Sequence, residues 1–139
     1  MKRKIFSLLL VVFTLFCMVA CGGKSKVACE LVDEADTRVV IRVTEAADNA
    51  TVLDCMEYLS GKGDFSYKIS GGMVMEINGK ANTADFSGCW MLYTSDAEMA
   101  NTEWGTIEYD GKTIASAIVG AEALTVVVGE VYIWEYVTF

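Results

Sequence analysis

The chain has 139 residues, 11 basic and 19 acidic, for a formal net charge of −8, and it contains neither histidine nor proline. Without histidine there is no Ser/His or Cys/His catalytic pair within the chain, and the commonest metal ligand is missing. The acidic balance argues against nucleic acid and anionic lipid headgroups as partners.

Lys2, Arg3 and Lys4 precede an apolar run from Ile5 to Phe16. This is the layout of a secretory signal. The run is shorter than the roughly 20 residues of a membrane-spanning helix. Met18-Val19-Ala20 then leads into Cys21, followed by Gly22-Gly23-Lys24-Ser25-Lys26. The stretch resembles a bacterial lipobox, with Met18 where leucine is usual. The resemblance implies cleavage before Cys21, lipidation of its sulfur (palmitate among the acyl chains), export, and anchoring at the outer face of the cell membrane or outer membrane. The alternatives are an ordinary signal peptide or a lone membrane helix. Residues 1–20 are thus read as signal peptide, 21–26 as the lipidated cysteine with a short polar tether, and 27–139 as one domain. Loss of three basic residues with the leader leaves 8 against 19 acidic ones, a net of −11. Attachment to the membrane would come from the lipid, not from a basic patch.

Within the domain, 27–32 and 37–44 read as strands, with Asp33-Glu34-Ala35-Asp36 as a short hairpin connection. The segment from Thr51 to Ser60 reads as the one helix. Thr51 and Asp54 have capping-box spacing, and Val52, Leu53, Met56 and Leu59 form an apolar stripe bordered by Cys55. Gly61 and Gly63 end it. Strands follow at 65–69 and 73–77, around the turn Gly71-Gly72, and Asn78-Gly79 marks a tight turn. Further strands are expected at 89–94, at 105–109 and 112–115 around Asp110-Gly111, at 124–128, and at 131–137 after Gly129-Glu130. A hairpin, one helix and then strands is an α+β pattern.

Four of these pieces, in this order, resemble the transcobalamin-like C-terminal domain. They are Thr51-Val52-Leu53-Asp54, the run Gly72 to Gly79, Gly88-Cys89-Trp90-Met91-Leu92-Tyr93, and the run Gly129 to Tyr136. The resemblance covers roughly residues 37–139. It implies a β-grasp-like (ubiquitin-like roll) fold: an N-terminal hairpin, and one helix packed on a mixed sheet. The segment 97–119 is longer than in short family members and adds a β-hairpin. In animal vitamin B12 carriers this module is the smaller cobalamin-binding domain, and it also occurs in bacterial surface lipoproteins. The resemblance therefore implies a corrinoid ligand. The large helical domain that completes the site in those carriers has no counterpart here.

By period two, Tyr132, Trp134 and Tyr136 share one face of the last strand. One helix covers one face of a sheet, so an exposed aromatic strip is expected, with Trp90 joining from the neighbouring motif. The alternative places these aromatics under the inserted segment. Trp104, in a polar context, is either a lid or a binding anchor. The ligand-contact candidates are thus Trp90, Tyr93, Trp104, Tyr132, Trp134 and Tyr136. No catalytic set is marked, no cofactor is required, and Asp33, Glu34 and Asp36 read as a solvated acidic hairpin, not a calcium loop. Cys17 falls in the signal and Cys21 carries the lipid. Cys29, Cys55 and Cys89 remain, an odd number that allows one internal bridge at most, and buried reduced thiols are expected over a bridge. No Cys-x-x-Cys spacing marks a zinc site. Two readings follow: a non-catalytic binding module for a corrinoid or other flat small ligand, or an interaction module docking on an envelope protein.

Overall fold

The structure, a computed structural model, describes residues 26–139; the segment read as a signal peptide and the expected lipidation site Cys21 lie outside them. The described residues form an α+β fold of nine strands and one α-helix. β1 (Val27–Ala35) and β2 (Arg38–Ala46) form the N-terminal hairpin, α1 (Val52–Gly61) follows, and β3 (Tyr67–Ser70), β4 (Met73–Ile77) and β5 (Lys80–Ala81) make a small sheet. β6 (Gly88–Thr94), β7 (Ala100–Tyr109), β8 (Lys112–Ala117) and β9 (Val131–Thr138) complete a six-stranded sheet in the order β1-β2-β9-β6-β8-β7. Every pairing among the described strands is antiparallel, so the expectation of a mixed sheet is corrected.

The helix starts where capping chemistry places it. Thr51 accepts from the Asp54 N–H at 3.3 Å, and the Thr51 N–H donates back to the Asp54 carboxylate at 2.8 Å. Its buried stripe is Val52, Cys55, Met56 and Leu59, spaced i, i+3, i+4, i+7. Leu53 is half-buried at the flank and Cys55 takes the central place, which corrects the expected stripe.

The strand expected at 124–128 does not form. Thr125 makes one isolated bridge to Thr51, and the segment instead serves the helix start. Val52 N–H donates to the Leu124 carbonyl at 2.9 Å, and Leu53 N–H to the Ala121 carbonyl at 3.0 Å. Those are N–H groups that a first helical turn cannot pair internally. Leu124 and Val126 fill the core while Val127 and Val128 face solvent. β-branched composition alone is not enough where a helix terminus offers a better use of the backbone. The first hairpin is also tighter than expected: β1 runs on through Asp33–Ala35, paired with Arg38–Val40 of β2, leaving Asp36-Thr37 as the turn.

Both faces of the large sheet are covered. On one face Val39, Ile41, Val43, Trp90, Leu92, Tyr132 and Trp134 pack with α1, Val74 and Ile77 of the small sheet, and Leu124. On the other, Val40, Tyr93, Ile114, Val131 and Ile133 pack with Ile107 and Tyr109. The inserted β7–β8 hairpin provides that second cover. β8 pairs with β6 only at Tyr93 and Thr94 and then leaves it. Arg38 on β2 donates to the Glu108 carbonyl on β7 at 3.2 Å, although four steps of strand order separate them. The hairpin must therefore fold back across the face. The expected exposed strip of Tyr132, Trp134 and Tyr136 is corrected accordingly: Tyr132 is fully buried, Trp134 is 4% exposed, and Tyr136 is half-buried. The hairpin of the insertion covers the opposite face, while Met99, Ala117 and Val119 of the same segment pack on the face that holds Trp90, Tyr132 and Trp134, so the alternative holds in part.

Candidate functional site

Where β8 peels away from β6, the β6 edge from Trp90 to Leu92 has no strand partner on that side. A groove of about 500 Å³ opens there. Its walls are Met73 and Val74 from the small sheet and Ala117–Ala121 after β8, and its floor includes Leu92 and Trp134. All three tryptophans of the chain line it. Trp90 and Trp134 are nearly buried, whereas Trp104 at 59%, Met73 at 51% and Ile118 at 39% are exposed. Apolar surface of this kind, concave and rimmed by large side chains, is the usual material of a small-ligand site.

Trp104 owes its position to a bulge. β7 and β8 pair at Asn101–Ser116 and next at Thr106–Ala115, so residues 102–105 are extra on β7. Gly105 closes the bulge with φ of 123°, a conformation that side chains resist. Trp104 lies within this bulge and lines the groove.

The floor holds one anomaly. The indole N–H of Trp134 is buried and has no hydrogen-bond acceptor, the one such side-chain atom among the described residues. Leaving a buried donor unpaired costs about 1–3 kcal/mol. Trp90 is satisfied: its indole N–H donates to the Lys80 carbonyl at 2.8 Å, and its backbone N–H to Asn82 Oδ1 at 2.9 Å.

The three tyrosines do not line this groove. Tyr132 is a core residue whose hydroxyl accepts from the Val127 N–H at 2.9 Å. Burial pushes its phenol above the ordinary value. Tyr93 points to the other face, under the folded-back hairpin, and burial raises its phenol too. Tyr136 pins the β4–β5 hairpin: its hydroxyl donates to the Ala81 carbonyl at 3.2 Å, its ring meets Trp90 edge-on at 5.4 Å, and the Lys80 ammonium sits 4.4 Å above it. Gly88 lies directly beneath this ring, where an added Cβ would sit 2.6 Å from the Tyr136 hydroxyl and 3.1 Å from ring carbons. Gly88→Ala should therefore cost about 1–3 kcal/mol in urea unfolding, as overpacking does. An unchanged midpoint would mean that the ring is not held as described.

Sequence reasoning missed Met73, Ile118 and the residues after β8. Met73 follows the Gly71-Gly72 turn, which was legible, but nothing local says that this turn faces β6. The acidic hairpin tip makes a side-chain contact of its own: Glu34 accepts from Asn78 Nδ2 at 2.6 Å. Comparison with protein-family models, with curated proteins and with solved structures finds no match to this chain.

Proposed function

We propose that the chain is a lipid-anchored surface lipoprotein whose β-grasp-like domain is a non-catalytic binding module for a flat, largely apolar small ligand. The observation that carries this is the convergence of Trp90, Trp104 and Trp134 on one apolar groove. A ligand with large flat faces can cover Trp104 and Met73 at little entropic cost to the protein. The resemblance to transcobalamin-like domains favours a corrinoid, which offers such faces. The β-grasp-like reading is supported by the element order and by β9 returning beside the N-terminal hairpin.

The test is a tryptophan-fluorescence titration of the mature chain in mild detergent with cobinamide and with cobalamin. A single open groove should give modest affinity, roughly micromolar, near −8 kcal/mol. No quenching at near-millimolar ligand would remove this reading and leave docking on an envelope protein through Met73, Trp104 and Ile118.

The anchor is tested separately. Cys21→Ser should shift the protein from the detergent phase to the medium or to an uncleaved precursor. Unchanged partitioning with unchanged mass would rule out the lipid on Cys21.

A further inference from the structure

Cys29 on β1 and Cys55 in the first half of α1 meet in the core between the large sheet and the helix. The Cys29 thiol donates to the Cys55 carbonyl oxygen at 3.5 Å across 26 residues of chain. Both side chains belong to the same buried cluster, at 4% and 0% exposure. Cys29 takes the inward parity of β1 with Val27 and Leu31, which pack on that cluster. The third thiol is excluded by geometry. Cys89 precedes Trp90 on β6, and Trp90 faces the α1 side, so Cys89 points to the opposite face.

Among the described residues the structure holds three thiols, Cys29, Cys55 and Cys89, reduced and buried. We infer that Cys29 and Cys55 are a matched dithiol that closes to an intramolecular disulfide under an oxidising thiol–disulfide poise, tying edge strand β1 to α1. Cys29 lies on the edge strand at 4% exposure and Cys55 within the helix stripe at 0%, so Cys29 is the first to be reached and is the entering nucleophile. Contact with Cys55 and the Lys62 cation draw the Cys29 thiol below its ordinary value, which acts in the same direction. With oxidised glutathione as oxidant, the Cys29 thiolate attacks one glutathione sulfur, breaking that disulfide and releasing one glutathione thiolate. The Cys55 sulfur, losing its proton, then attacks the Cys29 sulfur and releases the second glutathione. One disulfide is broken and one formed, and the two cysteine protons end on two glutathione thiols. Access comes through β1, which pairs only with β2 and is free to fray. The inference is independent of what the groove binds.

The test equilibrates the full chain in glutathione mixtures from reducing to oxidising, then unfolds it in guanidinium with iodoacetamide and digests it with trypsin. Cleavage at Lys26, Arg38, Arg42 and Lys62 separates the two cysteines. Peptides 27–38 and 43–62 should be alkylated in the reducing mixtures and joined as one cross-linked species, lighter by two hydrogens, in the oxidising ones. Cys89 should be alkylated throughout, and Cys89→Ser should leave the cross-link intact. The thermal midpoint of the oxidised form should exceed that of the reduced form. Full alkylation of Cys29 and Cys55 in the most oxidising mixture, a cross-link through Cys89, or glutathione adducts on both cysteines in place of the bridge would overturn the inference.

Discussion

Met56→Ala should lower unfolding free energy by about 2–5 kcal/mol, the range for truncating a buried methionine. Met56 is fully buried at the centre of the α1 stripe, against the face built by Val39, Ile41 and Tyr132. No solvent reaches it, and the neighbouring positions are β-branched or aromatic and fixed by sheet pairing. The cavity cannot collapse easily, which places the loss in the upper part of the range. Leu53→Ala should cost clearly less, because Leu53 is half-buried at the flank of the same helix. Urea unfolding of the two variants checks both the magnitude and the order. Equal losses would mean that the helix is rotated from the orientation described.

The helix illustrates what was legible in the sequence. Its cap, its period and its end are all local signals, and only its rotation, by one position, needed the partner surface. The turns at Asn78-Gly79 and Asp110-Gly111 were equally legible, and both take positive φ at their two central residues. The segment 124–128 was not. Its composition is that of a strand, but pairing needs a neighbour with free backbone groups, and the neighbour it found was a helix terminus. The insertion at 97–119 was readable as a hairpin. That it would fold over the second face was not, because this depends on β8 leaving β6 after two residues. From that departure follow both the burial of Tyr93 and the opening of the groove. Period two placed Tyr132, Trp134 and Tyr136 on one face correctly, yet which of them reaches a cavity is set by loops and by the small sheet, far away in the chain. The stretch that resembles a lipobox lies outside the described residues, and that reading rests on the sequence alone.

Trp104→Ala should weaken binding of a flat ligand such as cobinamide by at least about tenfold, a loss of about 1.4 kcal/mol, without unfolding the domain. Trp104 is the variant of choice because it is 59% exposed on a bulge, so truncation leaves no cavity. Trp134→Ala, by contrast, would remove a ring that is 4% exposed and shared with the core, at about 3–5 kcal/mol of stability, and would confound binding with folding. Trp134→Phe is the informative change there. It keeps an aromatic ring over the core while deleting the unpaired N–H. The smaller ring costs packing, and removal of the unsatisfied donor offsets part of that cost. Because that N–H is shielded from solvent, a ligand in the groove should lose affinity in Trp104→Ala and much less in Trp134→Phe. Fluorescence titration of both variants beside a far-ultraviolet dichroism melt checks this order. Wild-type affinity in Trp104→Ala would show that the exposed tryptophan is not part of the binding surface, and the groove would lose its claim to the ligand.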